Sequence, residues 1–468
     1  MVGPLLARLR RAPLPSSLRL FWVLIVLWLE LGSYYWSTLD CRWPDEKLDG
    51  TVPTHVLLVA DPQVLDENSY PDRGPALMAL SQFIVDLQLR KAWHTALATR
   101  PDAVVFLGDM LDNGRAERGN KEYRQYVEKF NRMFADTRGK KLPRYYIPGN
   151  HDVWLGGDDP LSKLARTRYQ TYFGPLNSHA SLGGHTLLFI DAPYLVEEDA
   201  AQRRAGVDGD ISHWLPEALQ ELHATMKMAS RSGEQPDPVV LFSHIPLWRT
   251  TGTDCGPDRE RGTLKEGRGF GYENTLSPTI SRMLLDTFKP VAIFSGDDHD
   301  YCEITHSATA SGDSTGKSVT EISVKSLSMA MGIQRPGFSL LSLSSGGAAH
   351  TMCLLPSQLG LYLRGYLPVF LLTVVVLFVH ASRRGSSGRS GFPKSYAMTG
   401  LPYSRSEPGL DYDRRRSGAI RRDLVPHWVQ RKTQSLERSF LGRFMVDIAT
   451  VAWLPLSIFV VLVIAVSW

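Results

Sequence analysis

Five short strings in this 468-residue chain carry the residue types that hold divalent metal ions. In order they are Asp61-Pro62-Gln63, Gly108-Asp109-Met110-Leu111-Asp112, Gly149-Asn150-His151-Asp152, Ser243-His244 and Gly296-Asp297-Asp298-His299. One such string alone is usually a turn, because an Asp after a Gly at a strand end more often shapes backbone than binds metal. Five together offer carboxylate, amide and imidazole donors. That set suits two hard or borderline divalent ions sharing one carboxylate. The chemistry open to such a pair is hydrolysis: Lewis acidity toward an ester oxygen, and a water made nucleophilic near neutral pH.

The elements that must position these strings are short apolar runs. His55–Ala60, Ala103–Leu107, Arg144–Pro148, Thr186–Ile190, Pro238–Phe242 and Val291–Ser295 read as buried strands. Each of the five strings follows one of these runs, and strand carboxyl ends are where open α/β sheets place ligands. Glycine ahead of the Asp or Asn lets the chain turn sharply there. Ala76–Thr99, Lys121–Phe134 and Pro216–Ala229 have helical spacing, and Val319–Val324 and Gly337–Leu343 add strands with no helix between them. The domain expected is a layered α/β sandwich over residues 55–345 with one antiparallel closing portion.

Composition places that domain beside a membrane. Residues 18–36, 361–381 and 446–468 are apolar runs near the ~20 residues that cross a bilayer. The first follows Arg8, Arg10 and Arg11 and ends in Tyr34-Tyr35-Trp36 without a small-residue cleavage site, so it reads as a signal anchor. Residues 382–444 hold 14 Lys+Arg against 5 Asp+Glu, so +9, which leaves 4 − 9 = −5 for the rest. A negative remainder argues against nucleic acid as a partner. The positive-inside rule puts residues 1–17 and the basic 382–444 loop, Ser/Gly/Arg-rich and largely disordered by composition, in the cytosol. Its arginines can meet anionic membrane lipids or simply fix topology. The 55–345 domain is then luminal, where its four cysteines can pair. Cys41 and Cys353 each lie just luminal of a span and make a geometric couple, which leaves Cys255 for Cys302; four free thiols is the other reading.

The five strings in this order resemble the calcineurin-like metallophosphoesterase superfamily. Ala60-Asp61-Pro62-Gln63, Ser69-Tyr70-Pro71, Phe242 through Trp248, Asp254-Cys255-Gly256-Pro257, Gly296 through Cys302 and Val324 through Gly332 narrow the resemblance. They are similar to the fungal cell-division-control branch, membrane phosphoesterases that remodel glycosylphosphatidylinositol (GPI) anchors in the endoplasmic reticulum. The resemblance implies a four-layer α/β/β/α sandwich with about three transmembrane helices. It implies two divalent ions, manganese foremost, and a GPI glycolipid or GPI-anchored protein as substrate. The reaction implied is removal of an ethanolamine-phosphate branch from a mannose, the first favoured over the second, in the endoplasmic reticulum or Golgi. Oligomeric state is left open.

Carried over by motif, Asp61 and His299 bind one ion, Asn150 and His244 the other, and Asp109 bridges. His151 acts as general acid or orients the phosphate, with Asp112 behind it. Two departures bear on the metal. Gln63 stands where the superfamily usually has His, and ligates through its amide oxygen or not at all. Asp297-Asp298 stands in the last motif where an imidazole is usual, and either carboxylate can take its place. More oxygen among the donors favours manganese or magnesium over zinc. Trp154, Tyr194 and Trp248 lie just beyond cluster strands as candidate substrate contacts, or as ordinary packing. The 250–274 loop is a candidate wall. Two rival readings stand beside this one: a membrane-bound enzyme for another phosphoester, and a non-catalytic metal-binding scaffold.

Overall fold

The computed structural model describes residues 13–50, 52–116, 118–136, 139, 141–155, 160–205, 215–216, 219–224, 237–269, 271–307, 318–386 and 439–467. Residues 1–12, most of the basic 382–444 loop and half of the helix expected over Pro216–Ala229 lie outside this set; the described part of that helix, 219–224, is helical.

Thirteen strands are described: β1 (Thr54–Val59), β2 (Ala103–Phe106), β3 (Arg144–Tyr146), β4 (Ser178–Leu182), β5 (His185–Ile190), β6 (Val239–Ser243), β7 (Arg268–Gly269), β8 (Tyr272–Glu273), β9 (Ala292–Ser295), β10 (Cys302–His306), β11 (Val319–Ser323), β12 (Gly337–Ser344) and β13 (Gly347–Leu354). One sheet has the order β13-β12-β1-β2-β3 and the other β10-β11-β9-β6-β5-β4, while β7 and β8 form a separate hairpin. β1, β2 and β3 run parallel, as do β5, β6, β9 and β11. The antiparallel closure is supplied by β12, β13, β10 and β4. β13 carries the first sheet to Leu354, past residue 345 where the sequence places the domain end.

Period-two alternation sorts each strand between two cores. Val56, Leu58 and Val105 from the first sheet cluster with Leu187, Phe189, Val240, Phe242 and Phe294 from the second. Leu57, Val59, Val104 and Phe106 point the other way, onto α1 (Pro75–Leu97), α2 (Asn120–Met133) and α3 (Pro160–Tyr172). Trp93, Phe106, Phe130 and Phe134 meet there edge-on or tilted, with centroids 4.7–6.0 Å apart. Leu188, Ile190, Leu241 and Ile293 pack with α4 (Ala192–Arg204) and α5 (Pro278–Phe288). Strands buried on both faces explain why the sequence shows them as continuous apolar runs.

The chain divides into two units. One comprises residues through Glu30 with Tyr362–Leu462; the other comprises Leu31–Leu361 with the last residues, Val463–Trp468. Among the described residues, three helices are long and apolar enough to cross a bilayer: Leu14–Ser37, Gln358–Arg384 and Phe440–Ala465. Each begins ahead of the boundary read from sequence. In the middle one a π-helical turn, Leu361–Tyr366, comes just before Pro368. A proline has no N–H for the preceding turn, and a widened turn accommodates that loss. Both disulfides pair as expected, Cys41 with Cys353 and Cys255 with Cys302.

Candidate dinuclear metal centre

The ends of β1, β2 and β3 in one sheet and of β6 and β9 in the other deliver their polar residues to one place. The two sheets are tied together there. The Asp297 N–H donates to Asp61 Oδ1 at 3.1 Å, and Nδ1 of His244 lies 2.7 Å from the Leu107 carbonyl. Among the described residues seven non-glycines have positive φ, and five of them are Asp61, Gln63, Asp109, Asp297 and His299. Left-handed backbone at such residues costs about 1–3 kcal/mol each and survives only where surrounding structure enforces it. Gly108 and Gly149 allow the close approach. A Cβ on Gly108 would strike the His244 ring, and one on Gly149 would strike the Asp109 carboxylate.

Ligand atoms of Asp61, Asp109 and His299 all lie within 4.8 Å of one another. His244 is buried and donates through Nδ1 to Leu107, which leaves Nε2 as an acceptor or ligand. That nitrogen lies 3.1 Å from Asn150 Oδ1 and 3.4 Å from both Asp109 Oδ1 and Asp297 Oδ1. Asn150 is turned oxygen-inward because its Nδ2 donates to the Gly271 carbonyl at 2.9 Å. Gln63 Nε2 lies 2.8 Å from Asp109 Oδ2 and 3.3 Å from His299 Nε2. Asp298 turns away to a two-pronged ion pair with Arg259. Of the two carboxylates the sequence left open, Asp297 is the one in the cluster.

Whether metal suits this place is answered by its charges. Oδ2 of Asp61 is buried without a hydrogen-bond partner. Burial pushes the Asp61 carboxyl well above the usual range, with repulsion from Asp109 and Asp297 adding to it and His244 opposing. Burial pulls His244 down, but Asp109, Asp297 and Asp61 outweigh it and hold its imidazolium well above the ordinary histidine range. Burial, with repulsion from His151, holds His299 below that range against the pull of Asp297 and Asp109, which favours the neutral ring that a ligand needs. Two buried carboxylates, Asp61 and Asp109, and the partly exposed Asp297 stand around imidazoles that can be neutral; they form a cradle for cations, and the donor set fits two divalent ions.

His151 stands apart from the donors. Its side chain is 27% exposed, its N–H donates to Asp109 Oδ1 at 2.8 Å, and its Nδ1 lies 2.5 Å from the Asp112 carbonyl oxygen. Asp112 therefore fixes the ring mainly through its backbone; its carboxylate is 3.8 Å away. Asp152 shapes the turn, accepting from the N–H groups of Met110, Leu111 and Gly149.

The three aromatic candidates go to different places. Trp154 lies under the Arg115 guanidinium, 5.3 Å away, and Arg115 donates to the carbonyls of Asn150 and Gly271. Trp248 donates to Glu266 and lines a cavity of about 820 Å³ whose walls include no cluster residue. Tyr194 packs over Arg166, itself paired with Asp191 and Glu197. From the 250–274 loop, Gly271 accepts from Asn150, and Arg259 takes the outward-turned Asp298. Arg115, Arg259 and Lys325 are the site neighbours that sequence reasoning passes over, because a lone basic residue in a loop carries no pattern.

The calcineurin-like phosphoesterase family matches residues 55–301. Cell division control protein 1 of Saccharomyces cerevisiae is 33% identical over 70% of this chain, and the match spans 65% of that yeast protein. Metallophosphoesterase 1 of Ailuropoda melanoleuca is 28% identical over 80% of this chain and 91% of its own. Among solved structures, a purple acid phosphatase from yellow lupin seeds aligns over 66% of this chain and 55% of its own, with TM-score 0.38 and 11% identity. With a family match over more than half its length, this chain belongs to the calcineurin-like phosphoesterases and is a metal-dependent phosphoric ester hydrolase.

Proposed function

We propose that this protein is a phosphodiesterase that removes an ethanolamine-phosphate branch from a mannose, the first in preference to the second, of GPI anchors. The observation that carries the reading is an oxygen-rich metal cradle on a chain with three bilayer-length helices. The helices keep the enzyme at a membrane, where a lipid-linked diester is presented. The likeness to the yeast protein adds to it. The domain is read as a four-layer α/β/β/α sandwich on the luminal side of the endoplasmic reticulum or Golgi membrane.

Asp61 and His299 would hold one ion, Asn150, His244 and Asp297 the other, with Asp109 shared and Gln63 beside it. Oxygen donors outnumber nitrogen, which favours manganese. Two such ions supply Lewis acidity at the phosphoryl oxygens and lower the pKa of water. The chain's own residues do the rest. His151, anchored through Nδ1 on the Asp112 carbonyl with the Asp112 carboxylate nearby, would give a proton from Nε2 to the leaving alkoxide. Asn150 and Asp109 fix the turn on which His151 stands. Glycan mass spectrometry of GPI anchors from cells lacking the protein tests the substrate. Anchors retaining an extra ethanolamine phosphate on the first mannose are expected; an unchanged branch pattern overturns the reading.

A further inference from the structure

Asp297 and His299 share one turn, with φ of 63° and 65°. The residues between and after them are pinned by charge. Asp298 takes Arg259. Asp300, fully buried, takes Lys325 Nζ at 2.8 Å and the N–H groups of Glu260 and Arg261, also at 2.8 Å. Lys325 is itself fully buried, and its Nζ lies 2.8 Å from Glu260 Oε1 as well. Glu260 in turn accepts from the N–H groups of Gln334 and Arg335 at 2.6 and 3.0 Å. The next residue after Lys325 reaches the cluster backbone directly. The Ser326 N–H donates to the His299 carbonyl at 3.0 Å and its hydroxyl to the Asp61 carbonyl at 2.8 Å.

One ammonium thus joins three loops: the metal turn, the 250–274 wall and the 325–335 segment behind His299. A buried lysine is costly to keep charged unless paired on all sides, and here both partners are carboxylates. We propose that Lys325 is a positioning residue for the metal turn, acting through Asp300 on the adjacent His299 and through Glu260 on the wall. Without it, Asp300 and Glu260 face each other across a buried gap. The repulsion is relieved by movement of the turn between them, whose backbone is already left-handed. The loss falls first on the ion that His299 holds, so the two ions separate in affinity. The inference rests on reading Asp61, Asp109 and His299 as metal ligands.

The test uses full-length protein in detergent, stripped by chelator and titrated with Mn²⁺. Elemental analysis and electron paramagnetic resonance of bound Mn²⁺ are read beside turnover of bis(p-nitrophenyl) phosphate. Wild type is expected to take two ions and show an exchange-coupled spectrum. Lys325→Met should take one ion tightly and the second about 10–100-fold more weakly, the usual worth of an outer partner of a ligand. Its spectrum should become that of a single ion, and turnover should recover as Mn²⁺ rises. Lys325→Met/Asp300→Asn, which deletes both charges, should restore most of the second-ion affinity. Glu260→Gln, nearer solvent, should weaken the second ion less; if Lys325→Met does not fold, this variant decides. A lowered melting temperature with both affinities unchanged would mean a purely structural lysine and overturns the proposal. So does equal weakening of both ions. A wild type that takes fewer than two ions overturns the dinuclear reading itself, and this proposal with it.

Discussion

His244 and His151 both spend Nδ1 on a backbone carbonyl, Leu107 for one and Asp112 for the other. What differs is where Nε2 is left. For His244 it is buried among Asn150, Asp109 and Asp297; the His151 side chain keeps 27% of its surface exposed. The first placement suits a ligand and the second an acid that meets substrate. His151→Ala should therefore retain both metals and lose roughly 10²–10⁴-fold in rate, the usual worth of a positioned general acid. Asp109→Ala should lose metal itself, since the shared carboxylate is gone. Metal content by elemental analysis, read beside diester turnover, separates the two; a metal-free His151→Ala protein would refute the assignment. The adjacent pair Asp297 and Asp298 gives a second contrast. Asp297→Ala removes an oxygen from the cluster and should cost one ion, whereas Asp298→Ala removes a partner of Arg259 and should keep two at saturating metal.

At the scale of elements, the site is a set of turns that strands hold at a common edge. Gly149 marks how tightly they meet, because an added Cβ there would lie against the Asp109 side chain and backbone. Gly149→Ala should abolish metal binding while leaving the sheets folded, which circular dichroism and metal titration would show together; two bound ions in that variant would mean the turns are slack. These turns were legible in the sequence because both signals are local: an apolar run of Val, Leu, Ile or Phe, then Gly with an acid or amide. β1, β2, β6 and β9 are buried on both faces and read as such. β4 and β10, with alternating exposure and mixed residues such as Ser-His-Ala-Ser-Leu, carry too little apolar signal to stand out. α3 and α4 escaped for a related reason, since their buried sides include Arg168 and Asp199. Lys325 was least legible of all. A lysine within an apolar string looks like a solvated residue, and only Asp300 and Glu260, distant in sequence, make it a buried one.

At the scale of the whole molecule, two disulfides and one basic loop constrain which side of the membrane each part occupies. Cys41 and Cys353 are 312 residues apart and close the phosphoesterase domain on itself. Such bonds persist in oxidising compartments and rarely in the cytosol. The +9 of residues 382–444 follows a helix ending in Arg383 and Arg384, and an excess of Lys and Arg stays cytosolic. The two constraints agree if an odd number of spans separates domain from loop, and the proposed topology takes the helix Gln358–Arg384, long and apolar enough to cross a bilayer, as that span. A protease added to sealed microsomes should therefore cut between Arg383 and Arg438 and leave Cys41 through Ser357 intact until detergent opens the vesicles. Under non-reducing conditions the protected domain should also migrate faster than after reduction, because the Cys41–Cys353 bond holds its ends together. Cleavage of the domain in sealed vesicles would place it in the cytosol. The disulfides would then need another explanation, and a luminal GPI substrate would be out of reach.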